Sequence, residues 1–240
     1  MKPYYEHAGI TIYCADARHL GWLSAESIIT DPVWPNSVFP GIDPKETLRE
    51  TLAEGQFPGV ERVAIHLGCD SDPRFLEAVP TRWPFFRVCW LDYARPSYKG
   101  RLLYGSDVAY LFGEPPAAAP GRHLIPGKCM AQRTGYKVQY EIGSSYTGKS
   151  FTETPEEGQR AHPCPRRIQH VQWLVKHWAR ESVIDPFMGA GTTALACKSA
   201  GVTFIGIEIE ERYCEIAAKR LSQEVFNFDD QPDSSPIQSA

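Results

Sequence analysis

At 240 residues with a formal net charge of −4 and a pI near 6.0, the chain has room for one large domain with an insertion, and no global basic excess of the kind that binds polyanions indiscriminately. Its seven cysteines are odd in number, scattered from Cys14 to Cys214 and free of any C-x-x-C pair, which argues against a disulfide framework or a zinc site and for reduced thiols. No run reaches the ~18 apolar residues of a membrane helix, and the opening MKPYYEHAG lacks the apolar stretch of a secretory leader, so a cytoplasmic protein with no membrane partner is expected.

In chain order, short β-rich runs recur at ITIYCAD (10–16), SIITDP (27–32), RVAIHLG (62–68), FRVCWLDYA (86–94), VAYLFG (108–113), SVIDP (182–186) and FIGIEIE (204–210). Several are nearly continuous apolar runs, the mark of strands covered on both faces. Helical patterns lie between some of them. PKETLRETLAEG (44–55) has a proline start and a glycine end, RIQHVQWLVKHWARE (167–181) spaces its apolar residues for one helix face, and TTALACKSAG (192–201) stops at glycine. Strands alternating with helices predict an α/β sheet. Residues 114–160 break the pattern, being rich in Gly, Pro, Ser and Tyr, and read as an inserted lobe; the tail 226–240, polar and rich in Pro and Ser, reads as frayed.

The modest overall charge hides a stripe. Between residues 117 and 180 there are ten Lys and Arg against four Glu, a local +6 that leaves −10 for the rest of the chain. Such segregation is a candidate footprint for a polyanion, with a solvated basic face as the plainer alternative. Inside it, GSSYTGKS (143–150) matches the phosphate-loop pattern G-x-x-x-x-G-K-[ST]. The strand before it alternates polar and apolar, and FTETPEEGQRAHPCP after it places Pro and Gly where a helix should run. Without a helix N-terminus the dipole that a nucleotide's phosphates need is missing, and the ATP-binding reading is set aside.

SVIDPFMGAGTTALACKSAG carries more information. An apolar strand ends in Asp185, a turn contains Gly189 and Gly191, and a helix begins at Thr192. Glycines permit a tight turn and close approach of a ligand, and a helix N-terminus favours an anionic group. The next strand ends with Glu208 and Glu210, some twenty residues on, where an acidic side chain can take both hydroxyls of a ribose. Asp16 and Asp31 end the first two strands, so Asp16, Asp31, Asp185 and Glu208 are expected together on the carboxyl rim of one parallel sheet, where α/β folds bind ligands. TDPVWPN (30–36) adds Pro32 and Trp34: a carboxylate and a carbonyl freed by proline both accept from an amino group, and a tryptophan face stacks on a flat base. The plainer reading of the same residues is a turn with a core tryptophan.

At these residues the chain resembles the β-class amino-methyltransferases of DNA, which use S-adenosylmethionine. DPFMGAGTT is similar to their D-P-F-x-G-x-G-T-T cofactor motif, TDPVWPN to their D-P-P-Y catalytic motif, and HPCPRR (162–167) to their H-P-x-x-K-P segment, in the β-class order. The resemblance implies a circularly permuted Rossmann-like fold: a mostly parallel seven-stranded sheet, helices on both faces, the strand of Asp16 beside that of Glu208, and VAYLFG as the antiparallel member. Residues 1–114 and 161–226 would form the catalytic and cofactor-binding core, 115–160 a basic DNA target-recognition insertion, and 227–240 a flexible tail.

Carried over by residue, Asp185, Phe187, Gly189, Gly191 and Thr192 would wrap the methionine part of the cofactor, Glu208 the ribose and Asp16 the adenine edge, with His162 and Arg166 bordering it. No metal is implied. Val33, Trp34 and Arg167 depart from the motifs; Trp34 keeps a stacking face and loses a hydroxyl. Asp31 and the Pro32 carbonyl would orient the amino group of a flipped-out adenine stacked on Trp34, because an aspartate opening this motif accompanies adenine and a serine cytosine. N4-cytosine methylation is the alternative, and a methyltransferase for protein or a small molecule fits the basic window less well. The partner would be double-stranded DNA, its phosphates met by Lys128, Arg133, Lys137 and Lys149. A two-fold homodimer suits a palindromic site, and the setting implied is the nucleoid of a bacterial or phage-infected cell.

Overall fold

The computed structural model describes residues 1–36, 41–68, 71–99, 102–117 and 168–222. Eight strands form one sheet: β1 (Tyr5–His7), β2 (Ile10–Cys14), β3 (Ser27–Thr30), β4 (Arg62–Leu67), β5 (Phe85–Lys99), β6 (Leu102–Gly113), β7 (Ser182–Asp185) and β8 (Thr203–Glu208). Their order across the sheet is β1-β2-β8-β7-β3-β4-β6-β5. The central five, β2 through β4, run parallel, while β1, β6 and β5 pair antiparallel at the flanks.

Two expectations meet here as stated. The strand leading to Asp16 lies beside that of Glu208, with Cys14 paired to Glu208 although 194 positions separate them in numbering, and VAYLFG is antiparallel, as part of β6. The fold is Rossmann-like and permuted: the strand next to β8 comes from the other end of the chain. Among the described residues the sheet has eight strands where seven were expected. The extra one, β1, is a three-residue edge strand turned back onto β2 through Ala8 and Gly9, both at positive φ.

Buried residues explain the two layers. Every residue of β3 and β4 is buried, as central parallel strands require. Their side chains alternate between two cores: Ile29, Ala64 and Val183 face one, and Ile28, Val63, Ile65 and Ile184 face the other. The first core is covered by α2 (Ile168–His177), α3 (Thr192–Ala200) and α4 (Glu211–Ser222). The second is covered by α1 (Pro44–Thr51) and the 3-10 turns Ala17–His19 and Pro73–Ala78.

Element ends shift for identifiable reasons. The helix expected to run to 181 stops at His177, because Glu26 Oε2 accepts the N–H groups of Arg180 at 3.0 Å and Glu181 at 2.8 Å and turns the chain into β7. Glu26 also pairs with Arg62, whose side chain is 3% exposed, so this corner is an ionic lock at the amino edge of the sheet. β5 and β6 are longer than the apolar runs 86–94 and 108–113 suggested, since pairing continues from Ser97 with Tyr104 to Lys99 with Leu102 past a register shift that contains Pro96. α4 had no counterpart in the sequence reading. The octapeptide 143–150, the tail 226–240, and all but three residues of the expected insertion lie outside the described residues.

Candidate active site

Across the sheet, Asp16 follows β2, Glu208 ends β8, Asp185 ends β7 and Asp31 follows β3. These four strands are consecutive neighbours and parallel, so the four acids share one rim, as the sequence predicted. Their environments differ, and so does the chemistry open to each.

Asp31 sits in a turn closed by its neighbour three residues on: the Trp34 indole Nε1–H donates to Asp31 Oδ1 at 2.8 Å. Pro32 between them is buried, and Trp34 is half-buried against the second core. Trp34 packs as the plainer sequence reading expected, and its indole N–H also holds the carboxylate, a contact neither reading named. The far end of the loop is tied down where Ser71 Oγ donates to Asn36 Oδ1 at 2.9 Å.

Asp185 is 2% exposed. Its Oδ1 accepts from Thr30 Oγ1 at 2.7 Å and the Phe187 N–H at 3.1 Å, and its Oδ2 accepts from Thr193 Oγ1 at 2.7 Å. Burial pushes its carboxyl up to about 6, against the three donors and assisted by the nearby charge of Asp31. Neither Thr30 nor Thr193 was singled out from sequence. Both are small hydroxyl residues buried beside apolar neighbours, where a partner is obligatory.

The glycine turn is held from several sides. Gly189 and Gly191 have φ of 54° and 80°. The Met188 N–H donates to Ile207 O at 3.0 Å, the Gly189 N–H to Glu208 Oε2 at 2.8 Å, and Arg220 Nη1 of α4 to the Ala190 carbonyl. Gly191 caps α3 without a side chain to occupy the first-turn N–H groups, and Thr192 opens the helix half-buried. A Cβ on Gly191 would lie 2.8 Å from Ala217 Cβ, so this glycine also serves the contact between α3 and α4. Phe187 leans on the second core.

Glu208 accepts from Gly189 and, through Oε1, from the Glu210 N–H at 2.9 Å. A carboxylate offers about four acceptor positions, so these two bonds leave capacity for a diol. Burial raises its carboxyl above the ordinary glutamate value. Beside it Ile209 is 63% exposed, an apolar side chain standing on a rim of acids. Asp16 is instead gripped by Arg18, whose Nη2 lies 2.5 Å from Oδ2 and whose backbone N–H donates to Oδ1 at 3.0 Å. Those bonds hold Asp16 below the usual carboxylate range. Arg18 reaches on to Glu50 of α1 at 2.6 Å. His162, Arg166 and Arg167, with Lys128, Arg133, Lys137 and Lys149, lie outside the described residues.

Comparisons with known proteins show what the chain is similar to. Residues 104–219 match the DNA methylase family. The chain is 38% identical over 79 residues to the type II methyltransferase M.HinfI of Haemophilus influenzae, a stretch covering 32% of this chain and 22% of that protein. The chain thus spans about a fifth of that relative's length. Among solved structures, the M1.HpyAVI–SAM complex has a TM-score of 0.59 at 20% identity, covering 89% of this chain and all of that one. The cytosine-N4-specific PvuII DNA methyltransferase has a TM-score of 0.56 at 14% identity, covering 92% and 89%. At such identities the likeness is one of fold.

Proposed function

We propose that this chain, whose residues 104–219 match the DNA methylase family, transfers a methyl group from S-adenosylmethionine to the exocyclic amino group of a base in double-stranded DNA, adenine N6 being the expected acceptor. The observation that carries the reading is the Asp31–Trp34 pair, a carboxylate held at 2.8 Å by an aromatic side chain, in the turn that follows β3, the strand adjoining the one that feeds the glycine turn.

The rim suits the cofactor's three parts. The uncapped N-terminus of α3 behind Gly189 and Gly191 favours the methionine carboxylate. Glu208 suits the ribose hydroxyls, and the exposed Ile209 offers a flat adenine an apolar cover. Asp16, kept ionised by Arg18, would take the adenine amino edge by giving up part of the Arg18 bonding that now fills its carboxylate. When bound, S-adenosylmethionine supplies an electrophilic sulfonium methyl.

The chain's own residues then have positional tasks. An aromatic amine is a poor nucleophile because its lone pair is delocalised into the ring. Asp31 and the Pro32 carbonyl accept its two hydrogens, localise the lone pair and direct it toward the glycine turn, so that alignment supplies most of the catalysis. The base is inaccessible inside a duplex and is extruded at a cost of roughly a few kcal/mol, offset in part by stacking on Trp34. Asp31 lies outside the stretch that matches the DNA methylase family, so its role rests on this geometry and on the motif.

DNA contacts are assigned to the insertion 115–160 through Lys128, Arg133, Lys137 and Lys149, with His162 and Arg166 at the cofactor, and a two-fold dimer is the expected assembly on a palindromic site. Light scattering that shows a fully active monomer at micromolar concentration would contradict the dimer. The reading as a whole is tested by labelled methyl transfer to DNA from purified protein. Wild type should label DNA and Asp31→Ala should not, while both bind cofactor in calorimetry; transfer to protein or a small molecule only would replace DNA as substrate.

A further inference from the structure

Asp185 was expected to wrap the cofactor, yet its carboxylate is almost wholly enclosed and its bonds run to two elements that carry the two halves of the site. One oxygen takes Thr30 Oγ1, on the residue before Asp31; the other takes Thr193 Oγ1, in the first turn of the helix behind the glycine turn. With 2% of the residue exposed and three donors already on the carboxylate, its surface is closed to a ligand. Thr30 and Thr193 are 1% and 7% exposed, so neither hydroxyl has water as an alternative partner. The backbone pairing of β3 with β7 runs through Ser27–Val183 and Ile28–Ile184, which leaves the seam between these two strands without a ladder pair at Thr30 and Asp185; their pairs are Ile65 of β4 and Gly206 of β8, on the far sides. The Thr30–Asp185–Thr193 bridge occupies that gap.

We propose that Asp185 is a positioning residue: its carboxylate clamps the end of β3 to the start of α3 and thereby sets the separation between the amino acceptor at Asp31 and the methyl donor at the glycine turn, touching neither. This rests on the methyltransferase reading above. The prediction differs from that of a cofactor ligand, because cutting the clamp at its threonines should leave cofactor affinity intact while the reacting groups drift apart. Misplacement of about 1 Å is worth up to about a hundredfold in rate.

The test uses the full chain with Thr30→Val and Thr193→Val, which keep side-chain shape, and Asp185→Asn. Expected for each threonine variant is a fall in kcat of tenfold or more, with S-adenosylmethionine affinity by calorimetry and the KM for DNA both within threefold of wild type. The double variant should lose little more than either single one, since one clamp is cut twice. Independently of turnover, hydrogen exchange of the peptide containing residues 31–36 should quicken in Thr193→Val, although Thr193 lies on another element. Unchanged exchange in that peptide would overturn the clamp. So would Asp185→Asn losing cofactor affinity tenfold with kcat at saturation preserved, which would make Asp185 a ligand. A wild type that transfers no methyl to DNA refutes the functional reading instead, and the exchange result then decides the clamp alone.

Discussion

Replacing Gly191 by alanine separates a glycine retained for helix packing from one retained for ligand access. The residue has φ of 80°, where a side chain costs about 1–2 kcal/mol. The added Cβ would meet Ala217 Cβ at 2.8 Å, shorter than real contacts of this kind, and Ala217 is fully buried on α4. Forcing the helices apart adds about 1–3 kcal/mol, the usual range for overpacking. Gly191→Ala should therefore destabilise by about 2–5 kcal/mol, a large part of a typical ~5–15 kcal/mol total. Equilibrium unfolding in urea measures it. Placing Gly191→Ala in an Ala217→Gly background should recover the steric share and leave the backbone share, after allowance for about 1 kcal/mol lost to glycine in a helix. A loss below about 0.5 kcal/mol in the single variant, together with a sharp drop in cofactor affinity, would refute the packing argument and leave ligand approach as the reason for this glycine.

Trp34→Phe keeps an aromatic face and removes the N–H held by Asp31. A hydrogen bond to a charged group is worth about 1.5–3 kcal/mol, so kcat should fall roughly tenfold or more with the KM for DNA nearly constant; unchanged kcat in steady-state assays would show that the bond does not aim Asp31. Glu26→Ala leaves the buried Arg62 without its main anion and strands the Arg180 and Glu181 N–H groups. A loss of about 3–5 kcal/mol is expected in guanidinium melts, and one below about 1 kcal/mol would contradict the lock. Asp185 titrates near 6 in the fold against 3.8 when unfolded. The native state then binds the extra proton in that window, so wild type should gain on Asp185→Asn as pH falls from about 6 toward 4, by up to about 3 kcal/mol. Paired melts from pH 4 to 8 that show no slope, or the opposite one, would refute that linkage.

What was legible in the sequence is instructive in its pattern. Continuous apolar runs marked β3, β4 and β7 because central parallel strands are buried on both faces, and the acids at their ends fell on one rim because parallel strands share a carboxyl edge. β1 was missed because three residues at an edge carry no periodicity. α4 buries Cys214, Ala217 and Leu221, small or singly spaced apolar residues that make a faint stripe. Within the site, Asp31, Glu208 and the glycines were visible as motif letters. Thr30 and Arg220 were not, since one acts through a partner 155 positions away and the other through a backbone carbonyl; Arg18 and Thr193 were not, although Asp16 and Asp185 lie two and eight positions from them. The environment of Asp185 likewise depends on what packs over it: the letter announced an acid at a strand end, and only the fold shows it enclosed by two hydroxyls.

The central claim is that Asp31 directs the amino group of a DNA base toward a methyl donor. Nucleoside mass spectrometry of DNA from a host expressing the wild-type chain, beside one expressing Asp31→Ala and an empty control, tests it most directly. N6-methyladenine in the wild-type DNA alone is the predicted result, and N4-methylcytosine in its place would keep the mechanism while changing the base. The same modified base at equal abundance with Asp31→Ala, or no modified base in any of the three, would contradict the account.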